Sequence, residues 1–246
     1  MMNFIKLITD KKENLMEEKV PTVAFIGDSV THGCFELEVG DQNRVEPVYD
    51  VANAYPQYFS RILSILYPNV PINVIHAGIN GDGTKGGVQR LERDVLRYHP
   101  DLTVVCFGLN DVHGGKDSIS TYCRNLSLIF ERIKDSGGEV IFMTPNMMNT
   151  YVQDCPTYVG RAAFLNGIAE KTAAFQNNGT FDAFIEAAKK TAVEQEVPVC
   201  DVYSKWKTLQ KNGVSTTWLL SNYINHPTRE MHWLFAYSLI ETIMKA

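Results

Sequence analysis

The sequence predicts an α/β fold, a five-stranded parallel sheet covered by helices on both faces, and three observations carry that expectation. Short apolar runs of strand length recur along the chain, segments with helical spacing separate them, and the glycine-rich polar pieces fall just after the runs. Strands alternating with helices imply parallel pairing, because each crossover has room for a helix that returns the chain to the same end of the sheet. At 246 residues and 45% hydrophobic content the chain can bury one sizeable core, so a single domain is the default.

In chain order, strands are predicted at 22–26, 72–76, 102–107, 139–144 and 198–202. Between them Tyr58, Ile62, Ile65 and Leu66 carry helical spacing, as do Val88, Leu91 and Val95, and then Ile119, Tyr122, Leu126, Ile129, Phe130 and Ile133. The stretch 160–196 reads as helix broken at the turn signal Asn177-Asn178-Gly179, and 229–245 as a closing helix. The segment 34–55, acidic around Glu36, Glu38, Asp41 and Glu46, reads as an insertion that shapes a pocket or a homo-oligomer contact. Residues 1–20 are set apart as an N-terminal extension, and 21–246 as the domain proper.

The formal net charge of −5 and the lack of any long basic block argue against nucleic-acid or anionic-membrane partners. The first twenty residues contain neither a proper apolar signal region nor a small-residue cleavage site, and no stretch of about twenty apolar residues follows. A cytoplasmic, soluble protein acting on a small molecule is therefore expected. Cys34, Cys106, Cys123, Cys155 and Cys200 are scattered and odd in number, and read as reduced packing residues.

In an open α/β sheet ligands bind at the carboxyl ends of the strands, which directs attention to 27–33, 78–87, 108–115 and 144–154. The first of these places Gly27-Asp28-Ser29 where a strand stops and a helix could begin, a position that exposes a hydroxyl and offers it backbone N–H groups. Taken alone, Ser29 is better read as an N-cap after a tight turn than as a nucleophile. The next two strand ends supply Gly78-Ile79-Asn80-Gly81-Asp82 and Gly108-Leu109-Asn110-Asp111, whose glycine N–H and asparagine amide are the donors an oxyanion needs. Asn225-His226-Pro227 adds an imidazole just before the last helix, within reach as a general base.

At these residues the chain resembles the SGNH superfamily, the GDSL-type hydrolases, whose sequence blocks contribute serine, glycine, asparagine and histidine in that order. The resemblance runs from about Val23 to Ala236. It implies a flavodoxin-like three-layer α/β/α sandwich, in agreement with the alternation above, and a carboxylic ester hydrolase acting through an acyl-serine. Ser29 would be the nucleophile and His226 the base; the N–H groups of Ser29 and Gly81 and the amide of Asn110 would form the oxyanion hole. Neither metal nor organic cofactor enters, and a small acylated substrate is implied, acetylated carbohydrate first.

The family's acid usually stands three residues before the histidine, where this chain has Tyr223. An imidazole still needs a group that fixes its tautomer. Three sources are open: Asn222 as a neutral orienter, a backbone carbonyl near Tyr223, or a carboxylate from another loop, for which Asp201 at the end of the fifth strand is the candidate if it does not simply cap the following helix. The backbone carbonyl is favoured.

Two other readings compete. Without the acid the chain could be a non-catalytic ligand-binding protein on the same fold. The run Gly81-Asp82-Gly83-Thr84-Lys85-Gly86 also fits a dinucleotide fingerprint, with Asp111 in place of the ribose-binding acid, although its first glycine stands several residues beyond the strand. His32, His76, His99, His113 and His232 show no compact metal-ligand spacing, and His232 reads as a packed helix residue. Met147, Met148, Trp218 and Tyr223 are candidates for pocket walls or for plain packing.

Overall fold

The computed structural model describes residues 2–39, 44–153 and 162–246. Five strands, β1 (Thr22–Gly27), β4 (Asn73–Gly78), β5 (Leu102–Cys106), β6 (Glu139–Met143) and β7 (Val199–Cys200), form one parallel sheet in the order β4-β1-β5-β6-β7. Numbered within the sheet alone, that is 2-1-3-4-5, the flavodoxin-like order, and the expected three-layer fold is met. β5 is buried at every residue, as a central strand with helices on both faces must be.

The helices follow from their apolar stripes. In α5 (Ile119–Asp135) the residues Tyr122, Leu126, Ile129, Phe130 and Ile133 are all buried, as their spacing predicts. In α3 (Tyr55–Leu66) the stripe is Tyr55, Tyr58, Phe59, Ile62 and Leu63, whereas Ile65 and Leu66 are exposed. Ile65 falls at the edge of the stripe and Leu66 lies in the last turn, beyond what the core covers. α4 (Thr84–Asp94) buries Leu91, and α6 (Ala162–Asn177) and α7 (Thr180–Glu194) are separated at Asn178-Gly179, where Gly179 takes φ +75°. α8 (Val202–Lys211) and α9 (Arg229–Lys245) complete the layers.

Two elements lie where no helix or strand was expected. Within 1–20, α1 (Asn3–Glu13) sinks Phe4, Ile5 and Ile8 into the same core as the sheet, and its first N–H groups, on Asn3 and Phe4, donate to the Glu139 carboxylate at 2.7 Å each. Within 34–55, β2 (Cys34–Val39) and β3 (Val45–Tyr49) form a separate antiparallel hairpin. Asp41 and Cys155 lie outside the described residues; Cys34, Cys106, Cys123 and Cys200 are free thiols. Among the described residues no helix is long and apolar enough to cross a membrane.

Candidate active site

β1 ends at the topological switch of the sheet, with β4 on one side and β5 on the other, which is where a crevice opens. The short helix α2 (Ser29–His32) starts there. Its N-cap is Asp28, whose carboxylate accepts from Val30 N–H at 3.0 Å. Ser29 is therefore the first residue of the helix and not its cap, so its hydroxyl is not used up in capping. Asp28 is fully buried, one of its oxygens has no partner among the described residues, and burial, with Asp111 and Asp82 nearby, lifts its carboxyl from 3.8 to about 7.

The turns after β4 and β5 are built against each other. Asn110 donates from Nδ2 to the Asp82 carbonyl at 2.7 Å, one of two N–H bonds its amide can make. Asp82 in turn accepts from Arg90 at 2.7 Å, and Arg90 also donates to the carbonyls of Ala77 (2.6 Å) and Gly27 (3.0 Å), tying the ends of β1 and β4 together. Gly81 sits at φ +78°, the left-handed region that favours glycine.

His226, the candidate base, stands on a different kind of support. His226 is buried, and its Nδ1 donates to the Phe35 carbonyl on β2 at 3.0 Å, which leaves Nε2 with its lone pair. Burial lowers its pKa from 6.5 to about 4, against smaller opposing effects of the Phe35 carbonyl and the Glu36 charge, so the ring is neutral at pH 7. The loop that carries it is folded around Asn222, whose Oδ1 accepts from the N–H groups of Ile224, Asn225 and His226 at 2.9–3.0 Å. Tyr223 takes φ +53° so that the chain can double back over this acceptor. From the strap after β6, Asn146 donates to the Asn225 carbonyl and Asn149 N–H to that of Ile224, each at 2.8 Å.

Ser29, Asn110 and His226 line one cavity of about 320 Å³, together with Leu37, Asn80, His113, Ile168, Asn222, Ile224 and Asn225. Gly81 lines the neighbouring cavity of about 440 Å³, and Asn80 is shared by the two. A family model described as the GDSL-like lipase/acylhydrolase family matches residues 25–234. The chain belongs to that family.

The chain is 31% identical over 93 residues to an acetylxylan esterase of Geobacillus stearothermophilus, 36% of this chain and 38% of that one. It is 37% identical over 73 residues to an arylesterase of Vibrio mimicus, 29% of this chain and 36% of that one. The chain thus spans less than two fifths of the length of the curated relatives it matches. Solved structures of the Geobacillus acetylxylan esterase align over 91% of this chain and 94% of theirs, with TM-score 0.64 and 22% identity. A two-domain esterase active on acetylated mannans aligns over 98% of this chain and 52% of its own, with TM-score 0.66 and 18% identity. Catalytic mutants of the Geobacillus enzyme replace a serine, an aspartate and a histidine by alanine.

Of the three sources weighed for the support of His226, a backbone carbonyl is the one present, but it comes from Phe35 on the hairpin and not from beside Tyr223. Tyr223 packs its ring edge-on against Trp218 at 5.6 Å. Asn222 holds the main chain of the loop. Asp201 is a helix cap: it accepts from Ser204 N–H at 3.0 Å and pairs with Lys189 at 2.8 Å, on a cavity apart from Ser29 and His226.

The dinucleotide reading also fails on geometry. A pyrophosphate needs the bare N-terminus of α4, but there the Asp111 carboxylate accepts from Thr84 N–H at 2.9 Å and from its hydroxyl at 2.5 Å. That N–H already has its acceptor. Met147 and Met148 are wholly buried packing residues, while Trp218 is exposed. His232 accepts from Tyr55 N–H at 2.9 Å and is stacked among Phe35, Tyr55 and Phe235. Among the described residues no group of His, Cys, Asp and Glu is placed to hold a metal ion. The Phe35 carbonyl was beyond sequence reasoning, since every residue has one.

Proposed function

We propose that this GDSL-family protein is a serine-dependent carboxylic ester hydrolase acting on small acylated molecules, acetylated carbohydrate first among them. The observation that carries the reading is a single cavity lined by Ser29, Asn110 and His226, with His226 held through Nδ1 so that Nε2 keeps the lone pair a base needs.

In this mechanism Ser29 Oγ attacks the ester carbonyl while His226 Nε2 takes its proton. The oxyanion is met by the second Nδ2 hydrogen of Asn110 and by the N–H groups of Ser29 and Gly81. As the tetrahedral adduct collapses, the imidazolium returns the proton to the departing alcohol, and the same base then activates a water that frees the acid. The pocket, about 320 Å³, suits a short acyl chain. The acetylated sugar is supported by the similarity to an acetylxylan esterase and to an esterase active on acetylated mannans.

p-Nitrophenyl acetate and butyrate should be turned over, and Ser29→Ala or His226→Ala should lower kcat by roughly 10⁴-fold or more. A fluorophosphonate probe should label Ser29 stoichiometrically. Wild-type rates in both variants would sink the reading, and an unlabelled Ser29 in a protein that still binds acetylated oligosaccharide would favour the non-catalytic one.

A further inference from the structure

Arg229 lies three residues beyond His226, at the start of α9, and faces the hairpin. Its Nη1 and Nη2 donate to the two Glu36 oxygens at 2.6 and 3.1 Å, and its Nε donates to Asp50 at 2.7 Å. Its guanidinium also lies 4.2 Å from the centroid of the Phe35 ring, whose other neighbours include His232 at 4.8 Å. The backbone of Asp50 donates to the Gly33 carbonyl at 2.8 Å and closes the base of the hairpin.

These bonds span the same gap as the His226 to Phe35 bond. Glu36 is the neighbour of Phe35 on β2, and Arg229 belongs to the segment that carries His226. The hairpin forms its own two-stranded sheet, and a free-standing pair of strands has little stability of its own. Its ladder fixes β2 against β3 but not against the loop of His226. A bidentate Arg–carboxylate pair supplies both direction and distance across that gap.

We propose that Arg229 is a positioning residue for the base: by clamping Glu36 and Asp50 it holds the Phe35 carbonyl where it keeps His226 in the Nδ1–H tautomer. The clamp takes over the task of the acid that Tyr223 replaces in the sequence. With two carboxylates to one guanidinium it also carries a net charge of −1 beside the ring, and the Glu36 charge favours the imidazolium that forms during turnover. The three side chains are about 25–33% exposed, so the effect is moderated by solvent and salt.

The inference rests on the reading of His226 as the base, and the test separates the two. In wild-type protein labelled with ¹⁵N-histidine, the His226 imidazole should give the Nδ1–H pattern at pH 7. Arg229→Gln should turn it into a mixture of tautomers and lower kcat by about tenfold to a hundredfold, with KM within about twofold. Arg229→Lys should recover part of the loss, and Glu36→Gln combined with Arg229→Gln should cost little more than either alone. An unchanged tautomer and kcat in Arg229→Gln would overturn the clamp, while His226→Ala would still be inactive if the esterase reading holds. Should Arg229→Gln not fold, Glu36→Gln and Arg229→Lys carry the same two readouts, and no change in either would overturn the clamp. Full activity in His226→Ala would overturn the esterase reading, whatever the tautomer.

Discussion

The two halves of the candidate site are made differently. On one side Ser29, Gly81 and Asn110 each follow a strand of the main sheet, and Arg90 bonds the carbonyls at the ends of β1 and β4. On the other side His226 sits in a loop, and is fixed by a carbonyl 191 residues away, an asparagine inside its own loop and two more from the strap after β6. One half inherits its geometry from the fold; the other assembles it from long-range polar contacts.

Short of removing Ser29 or His226 themselves, the largest expected effect tests the half that the fold fixes. Asn110→Ala removes one of the proposed oxyanion donors and should lower kcat by roughly 10²- to 10³-fold with little change in KM. A loss below about tenfold on p-nitrophenyl acetate would show that the other donors suffice. Next comes the acid limb of the pH profile. The base works only when neutral, and burial holds His226 at about 4, so kcat/KM should stay near its plateau at pH 5. A solvated imidazole would keep only about 3% there, and a limb near 6.5 would mean the ring is wet.

Asn222→Ala probes the loop alone. Three N–H groups lose their acceptor, and about 2 kcal/mol of lost stability should lower Tm by roughly 4–8 °C while kcat falls. Unaltered Tm and kcat would show that the loop is held from outside. The last effect is on stability alone and runs the other way. Because the Asp28 carboxyl is raised to about 7 in the fold, the folded protein binds its proton between pH 3.8 and 7 and the unfolded chain does not. Asp28 therefore opposes folding increasingly as pH rises across that window. Asp28→Asn keeps an acceptor for Val30 N–H, and its gain in Tm should grow from pH 4 to 7 and level off above. An equal gain at every pH would put the cause in packing instead.

The same contrast explains what could be read from the sequence. The five sheet strands are apolar runs with punctuated ends, and the Gly-Asp-Ser, Gly-Asp and Asn-Asp turns lie within a few residues of them, so local signals suffice. β2 was legible too, in the alternation of Phe35, Leu37 and Val39 with Glu36 and Glu38, but the density of acid made the segment look like an insertion. α1 hid behind a short apolar stretch because only Phe4, Ile5 and Ile8 of its face reach the core. The support of His226 had no local signal: a main-chain acceptor leaves no residue type behind, and Glu36, Asp50 and Arg229 meet only after the hairpin and α9 have docked.

That the ring is held by a peptide carbonyl has a genetic corollary. No single substitution at position 35 deletes the acceptor, so the orienting contact tolerates most amino-acid exchange there. Insertions and deletions are another matter. Along a strand successive carbonyls point to opposite sides, so one residue gained or lost between Gly33 and Phe35 would turn an N–H toward Nδ1, and the imidazole would meet a donor where it now meets an acceptor.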